Sequence, residues 1–278
     1  MSEAELRRPA RALVTRPAQS AQELLALLEK NGWQPQALPM LEIDWLPAHS
    51  CMPALEQLFT RQTARCIAVF ISVNAVHSTA ALLQQQNLQW PAHVACAGIG
   101  HATLAALEAQ AWPRLNLAAP CTAGPQDSEA LLQQLLAYGI AGTQVLLFSG
   151  RGGRRKLQGA LAGMGADVVR IETYRRLKPV YSEADIVRAL DDFLDAGSPQ
   201  MHAMLFASGE TLANFCEYAR ATPRWAELSA LPSIVPGERV AEIAARAGLK
   251  RVVVAANASA NAFLRVLASL HRPSRCKL

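Results

Sequence analysis

No stretch of the 278-residue chain approaches the ~20 uninterrupted apolar residues of a membrane-spanning helix. The charged segment Met1 to Arg11 lacks the apolar centre of a secretory signal. The six cysteines (Cys51, Cys66, Cys96, Cys121, Cys216, Cys276) contain no C-x-x-C pair, and Cys66 and Cys96 sit in apolar runs where a thiol acts as a small hydrophobe. These absences predict a soluble cytoplasmic protein in a reducing setting, with no membrane contact. The six histidines (His49, His77, His93, His101, His202, His271) show neither H-x-x-x-H nor H-E-x-x-H spacing, so metal catalysis has no support. No G-x-S-x-G elbow occurs, which disfavours hydrolysis and leaves the strand-end serines Ser72, Ser149 and Ser208 as helix caps or ligand hydrogen-bonders. Aromatic residues make up only 6%, and the basic residues are spread over many loops rather than interleaved with aromatics, which argues against a nucleic-acid partner.

What is present is apolar material, 51% of the residues, enough for one large core or two ordinary ones, and two domains are expected. With Lys+Arg at 27 against Asp+Glu at 22, the net charge of +5 favours an anionic partner, and a polyanionic metabolite satisfies it. Short apolar runs ending in small or polar residues alternate with helical patterns, the signature of parallel sheets with crossover helices. Strands are predicted at Ala12–Thr15, Ile67–Ser72, His93–Ala97, Leu115–Ala118, Gln144–Ser149, His202–Ser208, Ser233–Val235 and Arg251–Ala255. Helices are predicted at 18–30, 74–86, 101–110, 126–138, 154–163, 183–196, 210–220, 239–247 and 259–270.

Two longer extended segments, Gln36–Asp44 and Ala166–Arg175, each follow a helix that stops near a glycine, Gly32 or Gly165. The unit from Leu13 to Gly32 reads as a sibling of the unit from Leu146 to Gly165, and Val69–Val76 echoes Met204–Thr211. This degenerate repeat predicts an α/β fold of two similar parallel-sheet lobes, flavodoxin-like and three-layered, with the extended segments as crossover linkers. Lobe one is expected at 1–38 plus 177–278, lobe two at 42–173, and the linkers at 39–41 and 174–176. The alternative is two consecutive domains meeting near residue 140.

In open parallel sheets, ligands bind beyond the carboxyl ends of the strands, where helix N-termini offer free N–H groups. The loops so placed are Thr15-Arg16-Pro17, Ser72-Val73-Asn74, Gly98-Ile99-Gly100, Ser149 to Gly153, Ser208-Gly209-Glu210-Thr211 and Pro236-Gly237-Glu238. The Ser149 loop is the richest: Gly150 permits close backbone approach, and Arg151, Arg154, Arg155 and Lys156 follow, which suits an anion or else marks a solvated basic helix start. Arg16 reads either as an anion ligand or as a surface arginine before Pro17. Gly98-Ile99-Gly100 stops short of a dinucleotide fingerprint because Thr103 stands where the third glycine belongs, so NAD is not expected. Thr103 itself either faces the ligand or packs in a first helical turn. Tyr174 lies in the extended segment, where its phenol could donate a proton without carrying charge or could simply be a packed strand aromatic.

Taken together and in order, several stretches resemble the uroporphyrinogen-III synthase family nearly end to end. They are Leu13-Val14-Thr15-Arg16-Pro17, Phe70 to Val76, Gly98-Ile99-Gly100 with Thr103, Asp127 to Leu131, Phe148 to Arg154, Tyr174, and Phe206-Ala207-Ser208. The resemblance implies a paired β linker, an active cleft between the lobes, no cofactor and a monomer. It implies a lyase that cyclises hydroxymethylbilane with inversion of the terminal pyrrole and loss of water, with the enzyme that makes this bilane as a further partner. Tyr174 is the implied catalytic residue. Thr15, Arg16, Ser72, Asn74, Gly98, Ile99, Thr103, Ser149, Gly150, Arg151, Ser208 and Thr211 are the implied substrate contacts, and hinge closure on the substrate is expected. One departure stands out: Val235-Pro236-Gly237-Glu238-Arg239 replaces the I-G-P and threonine pattern of the family. The rival readings are a non-catalytic two-lobed binding protein for an acidic small molecule and a nucleotide-dependent transferase.

Overall fold

The structure, a computed structural model, describes residues 10–60, 65–117, 128–153, 155–195 and 201–271. The strands are β1 (Ala10–Val14), β2 (Trp33–Ala37), β3 (Glu42–Trp45), β4 (Cys66–Phe70), β5 (Ala95–Gly98), β6 (Gln144–Gly150), β7 (Asp167–Leu177), β8 (His202–Leu205), β9 (Pro232–Pro236) and β10 (Arg251–Ala255). The helices are α1 (Ala18–Lys30), α2 (Ala48–Thr60), α3 (Val73–Gln85), α4 (His101–Ala109), α5 (Ser128–Tyr138), α6 (Lys156–Gly163), α7 (Glu183–Asp195), α8 (Gly209–Arg220), α9 (Trp225–Leu228), α10 (Glu238–Arg246) and α11 (Ala260–His271). They form two units, one of Met1–Glu42 with Leu177–Leu278 and one of Ile43–Arg176.

In the first unit the five strands run β10-β9-β8-β1-β2. Numbered within the unit, that is the doubly wound order 2-1-3-4-5. The neighbours pair in parallel. Period-two alternation divides β1 between two cores: Ala10, Ala12 and Val14 face α1 and α11, while Leu13 faces α7, α8 and α10. Helices cover both faces, which gives three layers.

The second unit repeats the plan with one substitution. Its sheet runs β3-β7-β6-β4-β5, so β4, β5, β6 and β7 take places 1 to 4 and β3, which precedes them in the chain, takes the fifth. Helices α2, α3 and α4 pack on one face and α5 and α6 on the other. Phe70 and Phe148, at the carboxyl ends of the central strands β4 and β6, stack 4.4 Å apart.

Four expectations change. Gln36–Asp44 is two strands, β2 and β3, in different sheets. Leu115–Ala118 forms no strand over its described part; pairing is limited to one bridge between Cys96 and Arg114, because Leu117 turns its N–H back to the Leu115 carbonyl at 2.9 Å instead of toward β5. Helix α2 was not expected, since Pro53 sits inside it, past the first turn where proline is tolerated. The repeat pairs differently: by place in the sheet β1 matches β4 and β8 matches β6, whereas the sequence echo followed a shared serine cap. Ala118, Asp127 and Arg154 lie outside the described residues.

Candidate active site

The break in strand order between β4 and β6 is where an open sheet offers its ligand crevice, and the predicted residues of the second unit gather there. Ser72 ends the β4 connection in an extended conformation and caps α3, its Oγ accepting from the Ala75 N–H at 3.2 Å. The same Oγ lies 2.9 Å from the Tyr174 hydroxyl. The phenol comes from β7 and is 6% exposed. It covers Gly150, where an added Cβ would stand 2.7 Å from the tyrosine Cζ. Glycine is therefore required at 150 by close approach of the ring.

The register between β6 and β7 slips at this point: Ser149 pairs with Glu172 but Gly150 with Tyr174, so Thr173 is an extra residue on β7. Ser149 is 1% exposed and its Oγ has no hydrogen-bond partner. Two amides of the loop are already engaged, Arg151 N–H to the Tyr174 carbonyl at 2.7 Å and Gly153 N–H to the Gly150 carbonyl at 3.3 Å. Arg151 turns its guanidinium toward Glu172, with Nε 3.4 Å from the carboxylate. Arg170, which the sequence reading passed over, donates to the carbonyls of Gly150 and Gly153 at 3.0 and 3.1 Å and shares Glu172 with Arg151. The basic loop is thus largely braced from within. Asn74 is half-buried at the first turn of α3.

Gly98 ends β5, where a Cβ would meet Thr103 and Leu107 side chains at 3.1 Å, so Gly98 and Thr103 serve the seating of α4. Thr103, 3% exposed, packs in the first turn. Ile99 donates its N–H to the Phe70 carbonyl at 3.0 Å, holding this loop beside Ser72. Gly100, at φ 81°, caps α4 with no side-chain bond, leaving the helix start open.

At the first unit's own break, between β1 and β8, Thr15 is fully buried and donates to the Leu205 carbonyl at 2.8 Å. Ser208 and Thr211 form a capping box at the start of α8. Arg16 is turned elsewhere, donating to the Ala258 carbonyl with its guanidinium 5.3 Å from the Phe263 ring. Burial lowers its pKa, with Glu23 opposing. Gly237 repeats the Gly100 geometry at φ 80° and opens α10 without a side-chain cap.

A hollow of about 540 Å³ lined in part by Leu83, Gln84, Trp90, Gln110 and Trp112 lies in the second unit, and none of the predicted site residues borders it. No described helix is long and apolar enough to cross a membrane.

The family model for uroporphyrinogen-III synthase HemD matches residues 22–265. The uroporphyrinogen-III synthases of Salmonella typhimurium and Escherichia coli K12 are each 28% identical over 261 residues, covering 92% of this chain and 98% of theirs. The backbone is similar to uroporphyrinogen-III synthetase from Helicobacter pylori 26695, with a TM-score of 0.59 at 14% identity, over 94% of this chain and all of that one. It is also similar to a mutant uroporphyrinogen III synthase from Thermus thermophilus, with a TM-score of 0.55 at 17% identity, over 95% of this chain and all of that one. At those identities the structural likeness concerns the fold. The match across most of the sequence, on the two α/β sheets described above, shows that this chain belongs to the uroporphyrinogen-III synthase family.

Proposed function

We propose that this enzyme closes hydroxymethylbilane to uroporphyrinogen III, with the Tyr174 phenol as the proton donor to the departing hydroxyl. The observation that carries the reading is the 2.9 Å contact between Tyr174 and Ser72 at the carboxyl ends of the central strands. Ser72 Oγ already accepts from the Ala75 N–H, so its one proton is free for the tyrosine oxygen. With the serine as donor in this pair, the phenol's own proton is left for a ligand. After transfer, the same serine proton stabilises the phenolate.

The hydroxymethyl C–O bond breaks as the phenol delivers its proton, water leaves, and the pyrrole nitrogen supplies the electron pair, giving an azafulvene. The substituted carbon of the terminal pyrrole attacks it to form the spiro intermediate. The bond from that centre to its original bridging carbon then breaks, and the bridging carbon rebonds to the unsubstituted α-carbon on the other side of the pyrrole nitrogen, which inverts the ring. Loss of a proton from the newly bonded carbon restores the pyrrole and the phenol. The acetate and propionate arms suit the Asn74 amide and the start of α4 after Gly100, which carries no side-chain cap. A monomeric state, transfer of the bilane from the enzyme that makes it and a cytoplasmic setting belong to the same proposal, the last supported by the free buried thiols of Cys51, Cys66, Cys96 and Cys216.

Hydroxymethylbilane closes unaided to the type I isomer, so isomer separation after incubation reads the activity. The expected product with this protein is type III. Tyr174→Phe is expected to lower the rate of its formation by about 10²-fold or more. An unchanged rate removes the tyrosine from the mechanism, and type I alone with the wild-type protein favours the binding-protein reading.

A further inference from the structure

We propose that Ser78 and Thr173 are positioning residues that aim the Tyr174 phenol, the observation being that the extra residue of a parallel β-bulge is locked to α3 by a buried hydroxyl pair. This rests on the reading of Tyr174 given above. In a regular strand successive side chains point to opposite faces. Val169 and Ile171 follow that rule and face the core under α2, α3 and α4. Thr173 continues it, and regular alternation would send Tyr174 to the other face, away from Ser72.

The bulge cancels that alternation. With Thr173 unmatched between the Ser149–Glu172 and Gly150–Tyr174 pairs, two consecutive side chains reach α3. Tyr174 meets Ser72 at its cap, and Thr173 meets Ser78 six residues on, where Thr173 Oγ1 and Ser78 Oγ lie 2.7 Å apart. Ser78 is 3% and Thr173 2% exposed, so the pair is shielded from water, and the serine donates its one proton to the Asn74 carbonyl at 2.6 Å, which leaves Thr173 as the donor within the pair. The backbone of the bulge is held from both sides, by Leu46 N–H to the Thr173 carbonyl at 2.9 Å and by Arg151 N–H to the Tyr174 carbonyl at 2.7 Å. Parallel bulges are rare, and bulges next to active sites re-aim side chains. Neither Ser78 nor Thr173 has a role in the chemistry proposed above, and a threonine hydroxyl in an apolar core would otherwise be a cost.

The test is steady-state formation of the type III isomer by Ser78→Ala, Thr173→Val and Thr173→Ser, each alone and in the Tyr174→Phe background. Ser78→Ala and Thr173→Val are expected to lower kcat by about tenfold or more, since small misplacement of a reacting group is costly, with KM within about twofold. Thr173→Ser, which keeps the hydroxyl, is expected to retain the wild-type kcat. In the Tyr174→Phe background, Ser78→Ala and Thr173→Val are expected to cost nothing further, because they act through the phenol. Wild-type kcat in Ser78→Ala beside a slow Tyr174→Phe overturns the positioning role alone. So does a loss repeated in full in the Tyr174→Phe background, or a Thr173→Ser as slow as Thr173→Val, both of which indicate simple loss of structure. Full activity in Tyr174→Phe instead removes the reading beneath the proposal.

Discussion

Gly150→Ala probes the phenol without touching it. The new Cβ would stand 2.7 Å from Tyr174 Cζ and 2.8 Å from Cε2. Carbon atoms rest about 3.5–4.0 Å apart, so the ring must retreat by roughly 0.8 Å or more. That is enough to take the hydroxyl from 2.9 Å of Ser72 to beyond the ~3.0 Å limit of a good O–H···O bond. Overpacking of this kind costs about 1–3 kcal/mol of stability, which a folded enzyme tolerates. A shift near 1 Å in a reacting group costs about 10²-fold in rate, or about 2.7 kcal/mol of barrier. Gly150→Ala is therefore expected to lose kcat for type III formation while KM holds, with the unenzymatic type I isomer rising in its place. Gly159→Ala is the control: it lies in α6, where nothing stands within 4 Å of an added Cβ, and it is expected to keep the wild-type rate. If Gly150→Ala matches that control, the ring has no need of its place over Gly150, and the reasoning from Tyr174 to rate is refuted.

The His202 ring is hydrogen-bonded through Nε2 to the Phe193 carbonyl at 2.8 Å, and burial, chiefly, lowers its pKa below the usual 6.5, with Arg11 adding to the shift and the Phe193 bond and Glu227 opposing it. The unfolded chain takes up the proton first, so this contribution is complete above about pH 6.5 and is lost as pH falls through the folded value. The urea midpoint of the wild type is expected to fall more steeply below pH 6.5 than that of His202→Gln, and parallel slopes would refute it. Burial pushes the Cys66 and Cys216 thiols up to about 11. At pH 8 about one in 10³ of each is thiolate, so brief alkylation of the native protein, mapped by mass spectrometry, is expected to leave both unlabelled while the urea-unfolded chain reacts. Labelling of either at the unfolded rate would refute their burial.

The parts of the fold that were legible are those written in local pattern. Arg251–Ala255 is one strand in both readings, and α1 starts and stops where its periodicity does, because both need only neighbours in sequence. The caps were legible for the same reason: Ser72 and Ser208 each accept from an N–H three residues on. Helix α2 was not, since Pro53 contradicts what the packing of Cys51 and Leu55 decides, and neither was the segment after Pro113, whose apolar run leaves the sheet in a tight turn at Leu117. The repeat misled for a physical reason. Serine caps recur wherever a strand turns at once into a helix, so Ser72 and Ser208 match in motif while their strands hold different places in their sheets.

The site was legible only as an inventory. Tyr174 and Gly150 stood out as residue types, but their contact depends on a slip in register between β6 and β7 that neither strand announces, and the hydroxyl that receives the phenol lies 102 positions away. Arginine run and glycine loop suggested an anion cradle. The structure uses Arg170 to fasten those carbonyls and Glu172 to hold Arg151, so much of the charge stiffens the loop that supports the tyrosine. For a reaction whose uncatalysed course already closes a ring to the type I isomer, loss of the hydroxyl is common to both products, and selectivity for type III lies in which carbon of the terminal pyrrole attacks. In the role proposed for Tyr174, the floor of Gly150 and the contact with Ser72 fix where the hydroxyl is helped to leave, and the reaction then needs no stronger nucleophile.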